Sequence, residues 1–435
     1  MLRRRAPVLT ILAISAVGLL FPQVALAEPA TTVAYPAGAT ATRYAGLAFD
    51  TCTAPSLATI KAWGASPYRA VGVYIGGANR SCSQPQLTAS WVTEVSKLGW
   101  RLLPIYNGRQ PWCGGKPTDL KITATGATTQ GTAAASDAVA KAKALGMLAG
   151  SGLYLDIENY STTDIPCRTA VLQFASAYTT QLHRQGYLSG IYANLSSGAL
   201  HLSQVYNSTS YARADGLWIA RWDGSSSLTG WAGIPDSQWA VHQRAKQYRG
   251  DHTETYGGVT INIDSDRLDT PVASVAYPYT VTSTTALNAR SGPSTSYSIV
   301  KTYAPGSTVR AVCQTSGSTV GTTRVWDKLS DGTYVSDYYV STPSNTTYSS
   351  PLPRCSYPFQ VTAASGVNER TGPGTSYPTA GTLPTGGLGW IVCQRAGSTV
   401  STTSVWDKLT DGRWVTDYYL ATPSKTTYSK PIPRC

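Results

Sequence analysis

The sequence predicts an α/β protein: a (β/α)8 TIM-like barrel followed by two small all-β barrels. Three observations predict it. Between residues 44 and 270, near-continuous apolar runs alternate with stretches of helical composition, as in a parallel sheet covered by helices. From residue 277 the rhythm changes to short Val- and Tyr-rich runs broken by Gly, Pro and Ser, with no helix-length amphipathic period. Those last residues are also a duplication at a constant offset of 80, with Cys313 answering Cys393, Trp326 answering Trp406 and Cys355 answering Cys435.

The chain opens MLRRRAPVLTILAISAVGLLFPQVALA, in which arginines precede a short apolar run that ends in Ala25-Leu26-Ala27. That order predicts a signal peptide over 1–27, followed by a linker over 28–43. The run is short for a membrane anchor, and no later one is long enough to span a bilayer. An exported protein is expected, extracellular or cell-wall associated, with no membrane insertion after cleavage. Its eight cysteines are an even number in an oxidising compartment and suit disulfides. With no C-x-x-C pair, no H-E-x-x-H and only four histidines (His183, His201, His242, His252), no metal site is expected. No cofactor is expected either.

The barrel elements follow in order. YAGLAFD is the first strand and SLATIKAWG its helix; YRAVGVYIGG leads to LTASWVTEVSKLG, RLLPIYNG to TTQGTAAASDAVAKAKALG, and GLYLDIENY to TAVLQFASAYTTQLHRQG. YLSGIYAN, GLWIARWD, WAVHQRAKQY and GVTINIDSD complete eight strands, with weaker helices between them. Eight units between 44 and 270 suit one closed barrel. The alternative, an open doubly wound sheet, lacks a G-x-G-x-x-G opening a helix.

Within GLYLDIENY, Asp156 and Glu158 stand two apart, so in a strand they share a face. Both fall at the C-terminal end of the fourth strand, which in barrel enzymes is the catalytic rim. Asp50 ends the first strand and Asp264 lies late in the eighth, and those strands adjoin on closure. Carboxylates gathered at one mouth raise one another's proton affinity. Glycoside hydrolysis needs that division between a proton donor and a charged partner. Tyr74, Tyr106, Asn107, Tyr192, Asn194, Arg221, Trp222 and Gln243, at or near other strand ends, are the candidate substrate contacts. A divalent cation is a competing use for acids, but the D-x-D-x-D-G spacing is missing. No G-x-S-x-G elbow supports acyl transfer.

The duplicated units run 277–355 and 357–435, after a linker over 271–276. Each holds two cysteines, so Cys313–Cys355 and Cys393–Cys435 are the economical bridges, useful to units too small for a large core. LNARSGPSTSYSIV and WDKLSDGTYVSDYYV, with their second copies, resemble the bacterial SH3 (SH3b) domain. The resemblance implies two SH3-like barrels that bind cell wall. Tyr338, Tyr339, Tyr418 and Tyr419 are read there as packing residues.

The segment from Tyr44 to Asp269, with FDTCTAPS, LYLDIENY and GGVTINIDSDRLD, resembles the Rv2525c-like, glycoside-hydrolase-like family of actinobacterial secreted proteins, itself similar to the lysozymes of glycoside hydrolase family 25. That implies Glu158 as proton donor and Asp156 as stabiliser of the cationic centre or guide of an N-acetyl group. Asp50 and Asp264 would position water and tune the pair. The chain departs from the lysozymes in continuing from Asp50 into Cys52 rather than a D-V-S run. Cys52, Cys82, Cys113 and Cys167 follow strands one to four, so bridges 52–82 and 113–167 would stitch neighbouring loops and reshape the cleft.

Formal net charge is +12, and +9 without the three leader arginines. Residues 277–435 carry 13 basic and 7 acidic side chains, a composition drawn to anionic surfaces. In an exported protein those are wall polymers; nucleic acid is not expected, because its usual motifs are absent. Two functions are carried forward. One is a monomeric, wall-targeted hydrolase of peptidoglycan or a related N-acetylated glycan. The other is a non-catalytic wall-glycan binder with a degenerate barrel.

Overall fold

The computed structural model describes residues 39–435. The expected signal peptide, and all but the end of the 28–43 linker, lie outside the described residues. Eight strands close into one barrel in sequence order. They are β1 (Thr42–Asp50), β2 (Ala70–Gly76), β3 (Arg101–Tyr106), β4 (Gly152–Ile157), β5 (Leu188–Asn194), β6 (Gly216–Ala220), β7 (Arg244–Tyr256) and β8 (Val259–Val272).

The helices are α1 (Leu57–Ala62), α2 (Ala89–Lys97), α3 (Ala127–Ala144), α4 (Ile165–Arg184) and α5 (Leu200–Gln204). Local chemistry starts three of them. The Ser56, Thr88 and Asp164 side chains accept from the backbone N–H three residues on, at 3.1, 3.1 and 2.9 Å, and satisfy amides that the first turn leaves unpaired. Their apolar faces (Val92 and Val95 of α2, Ala135, Ala138 and Val139 of α3, Phe174 and Tyr178 of α4) pack on the outward side chains of the strands. A smaller cluster of inward residues, including Leu103, Ile105, Tyr154, Trp218 and Leu268, fills the barrel.

The seventh and eighth strands depart from the expected strand–helix rhythm. Trp239 and His242 have φ of 47° and 54°, outside the extended region, so β7 begins at Arg244 and not at Trp239. No helix forms between β6 and β7. After β7 the chain reverses at Gly257-Gly258, with φ of 56° and 76°, values that suit glycine in a two-residue hairpin. A side chain at Gly257 would also meet the Ala62 carbonyl at 2.4 Å. The reversal makes β8 antiparallel to both β7 and β1. The wall is therefore seven parallel strands closed by one antiparallel strand.

After the barrel, the six strands between Tyr277 and Ser336 form one sheet, and the six between Tyr357 and Thr416 repeat its spatial order. Both curl as all-antiparallel sheets, consistent with small β barrels. The disulfides are Cys52–Cys82, Cys113–Cys167, Cys313–Cys355 and Cys393–Cys435, as expected. The first two tie the loops after β1 and β2, and the loop after β3 to the start of α4.

Candidate active site

Four acids meet inside the C-terminal mouth of the barrel. Asp50, the last residue of β1, stands in register opposite Asp264 of β8. Two residues further along β8, and therefore on the same face, comes Asp266. Asp156 comes from β4, across the barrel. Asp50 and Asp156 are 2% exposed, and Asp266 is fully buried.

Burial is the main reason their proton affinities rise, because it disfavours the charged form. Asp50 is pushed up to about 7 by burial and then by the Asp264 charge. Asp156 is held well above the carboxylate range by burial, then by Glu158 and Asp50. Asp266 rises likewise through burial and then Asp50. Asp50 and Asp266 bond to each other, which lowers Asp50 and raises Asp266. The Trp218 indole N–H donates to Asp266 Oδ1 at 3.1 Å. Asp156 Oδ1 is buried without a partner, an exception among buried polar atoms.

Gln247 of β7 joins this cluster to the rim. Its Nε2 donates to Asp50 Oδ2 at 2.8 Å and to Asp264 Oδ2 at 3.2 Å. Its Oε1 accepts from the Tyr192 hydroxyl and the Trp222 indole N–H, both at 2.9 Å. Trp222 is 62% exposed and lies over Gly250, where a β-carbon would come within 2.2 Å of the ring. An aromatic face is thereby fixed at the mouth with one polar end anchored. The phenols of Tyr74 and Tyr192 are shifted well up, first by burial and then by Asp50 and Asp156.

Glu158 lies one residue beyond the end of β4, exposed at the mouth. Its backbone N–H donates to Gln110 Oε1 at 2.8 Å, and Gln110 Nε2 donates to the Asp156 carbonyl at 2.9 Å, so Gln110 fixes how β4 ends. Although the residue reaches solvent, its carboxyl is partly desolvated, and this raises its proton affinity. Lys116 lowers that affinity and Asp119 raises it.

The structure thus brings Asp50, Asp156, Asp264, Tyr74, Tyr192 and Trp222 together, with Glu158 beside Asp156. Other candidates stand elsewhere or hold structure. Tyr106 faces outward, donating to Asp137 Oδ2 of α3 at 3.0 Å, because its parity opposes that of Ile105. Asn107 is at the rim and accepts from Gln110 Nε2 at 3.1 Å. Asn194 caps the turn after β5, accepting from the Ser196 N–H at 2.9 Å. Arg221 points to solvent and pairs with Asp223 at 2.9 Å. Gln243 lies buried just before β7, at the opposite end of the barrel, and donates to the Asp215 carbonyl at 2.8 Å. Sequence reasoning missed Asp266, Gln247 and Gln110. The D-S-D spacing of Asp264 and Asp266 is the same same-face signal as Asp156 and Glu158. Gln247 follows Gln243 by four residues on the same face. Gln110, in a loop, carried no periodic signal.

These observations define a closed α/β barrel with buried acids at its C-terminal mouth. Residues 61–268 match the family described as the Rv2525c-like, glycoside hydrolase-like domain. Among solved structures, the Tat-secreted protein Rv2525c of Mycobacterium tuberculosis, in complex with L-tartrate, is 14% identical with a TM-score of 0.37. The match covers 52% of this chain and 96% of that one. A family 25 glycosyl hydrolase from Bacillus anthracis is 12% identical with a TM-score of 0.34, over 54% of this chain and 94% of that one. The Clostridium perfringens spore cortex lytic enzyme SleM is 12% identical with a TM-score of 0.38, over 85% and 95%. These likenesses assign no activity to this chain. No curated protein matches it.

Proposed function

We propose that the protein is a secreted, cell-wall-targeted glycoside hydrolase that acts on peptidoglycan or a related N-acetylated glycan. The observation that carries this reading is the proton-holding acid cluster, Asp50, Asp156 and Asp266, set beneath the anchored aromatic face of Trp222. Glu158, at the open edge, is the donor to the leaving oxygen, since its raised proton affinity favours the acid form. Asp156 enters neutral. Positive charge building at the anomeric carbon favours its ionised form, and its unpartnered Oδ1 is free to face that charge or an acetamido group. Asp50 and Asp264, bridged by Gln247, position water. Trp222 supplies a face for a sugar ring. The two repeats are read as SH3b modules that hold the enzyme on the wall.

The test follows new reducing ends released from purified walls by the parent protein and by Glu158→Gln. The parent is expected to release them and the variant to lose roughly 10²–10⁴-fold in rate, as when a general acid is removed. Retention of both proteins on walls with no release by either would replace this reading with the non-catalytic binder.

A further inference from the structure

At the other end of the barrel a cleft of about 1130 Å³ opens between the barrel and both repeats. Arg43 and Arg101, at the starts of β1 and β3, line it from the barrel, Arg324 and Arg354 from the first repeat, and Lys408 and Arg434 from the second. Among the described residues, none of these six cations has a carboxylate partner within ion-pair distance. The one acidic side chain of the lining, Asp411, is itself near Arg413 at 3.6 Å. A single unpaired surface arginine is ordinary. Six cations converging on one concavity repel each other, and an anion would relieve that repulsion.

Two of them are tied into the protein. Arg43 bonds to His242 Nδ1 at 2.9 Å, and Arg101 donates to the Tyr277 hydroxyl at 2.8 Å. Of the others, Arg324, Arg354 and Arg434 are exposed and Lys408 is half-buried, and Arg324 Nε donates to the Gly317 carbonyl at 3.1 Å. Arg354 lies 3.4 Å from the centre of the Tyr348 ring, and Arg434 lies 3.8 Å from that of Tyr428, equivalent positions in the two repeats. Stacking of this kind fixes the guanidinium plane and leaves its N–H edges for a ligand, the fork that matches phosphate or carboxylate.

We propose that this cleft is a second binding site, for a linear anionic polymer whose phosphodiester or carboxylate groups are held by Arg324, Arg354, Lys408 and Arg434. A nucleic acid fits less well, because arginines already cover the Tyr348 and Tyr428 faces on which bases would stack. The site lies away from the acid cluster and does not depend on hydrolysis.

The test titrates the intact oxidised protein with four probes at 50 and 200 mM salt. They are a poly(glycerol phosphate) oligomer, an oligogalacturonate, a neutral chitooligosaccharide, and single-stranded DNA of matched charge. At least one of the first two is expected to bind with a steep salt dependence, and whichever is tighter identifies phosphate or carboxylate. Arg354→Gln/Arg434→Gln should weaken that binding by about tenfold or more and reduce the log–log salt slope by roughly one per cation removed. Arg324→Gln, at an exposed position, should weaken it independently, whereas Glu158→Gln should leave it unchanged. The proposal is overturned if neither polyanion binds better than the neutral sugar, if DNA binds tightest, or if a double variant that melts like the parent binds as the parent does. Because Glu158→Gln separates hydrolysis from this binding, either reading can fail alone.

Discussion

Glu158 sits between a cation and an anion, and the balance sets where it loses its proton. Lys116 pulls its proton affinity down, and Asp119 pushes it up. The Lys116 side chain is exposed and makes no hydrogen bond among the described residues, so Lys116→Gln removes the charge with little structural cost. The acid form of Glu158 should then persist to higher pH, and the alkaline limb of wall hydrolysis should move up by a few tenths of a pH unit, a small step because water screens the ammonium. A pH–rate profile of the two proteins checks this; a limb that stays put or moves down removes Glu158 from the donor role. At this scale the sequence told most about acids at strand ends, whose spacing and position are both periodic. It told least where one strand offers two equivalent positions. Gln243 and Gln247 share a face, and only the true start of β7 decides which of them reaches the mouth. Tyr106 shows the same sensitivity. A one-residue difference in parity turns an aromatic side chain from the pocket to the helix layer.

Elements were legible where one local rule governed them. The first six strands, their capped helices and the duplicated units follow from apolar runs, Ser/Thr/Asp caps and the constant offset. The β7–β8 reversal was not, because GVTINIDSD takes Gly258 as the start of a strand, and the hairpin that Gly257-Gly258 forms is a matter of backbone sign rather than composition. Each repeat contains a device that pattern reading also passed over. Gln314 Nε2 donates to Asp327 and Asp337, both at 2.9 Å, and Gln394 does the same for Asp407 and Asp417 at 2.8 and 3.0 Å. All four acids are raised, by burial first, and Asp327 and Asp407 next by the partner's charge. A carboxyl whose proton affinity is higher folded than unfolded gives its full stability below the unfolded value and loses it as pH rises through the folded one. Asp327→Asn/Asp407→Asn keeps an acceptor for the glutamine and replaces the proton with an amide donor. The variant should melt several degrees above the parent at pH 8 and show no gain at pH 4. Thermal melts at both values test it, and an equal shift at the two would exclude a titrating origin.

The three units are joined by more than a chain. The apolar layer outside the barrel runs on through Ala273, Val275, Tyr277 and Val281 into the interior of the first repeat at Leu287, Ala311 and Val335. Arg101 closes that joint, donating to the Tyr277 hydroxyl at 2.8 Å and to the Pro351 carbonyl at 2.9 Å. The second repeat is held on two sides. Just before it, the Ser356 carbonyl accepts from the Ala41 N–H at 3.1 Å, and its Tyr357 hydroxyl meets the Tyr334 hydroxyl of the first repeat at 2.9 Å. A continuous core of this kind couples unfolding, since exposing one side of the joint strands the buried surface of the other. In calorimetry of the intact oxidised protein, the barrel and the first repeat should therefore melt in one transition. Arg101→Met keeps the aliphatic stem but removes two charge-assisted hydrogen bonds, worth about 1.5–3 kcal/mol each when the acceptor remains buried. It should lower that transition and begin to resolve it into two. Separate transitions already present in the parent, with the barrel's unmoved by the variant, would mean that the joint is mere contact. The anion cleft, walled by all three units, would then have no fixed shape to offer a polymer.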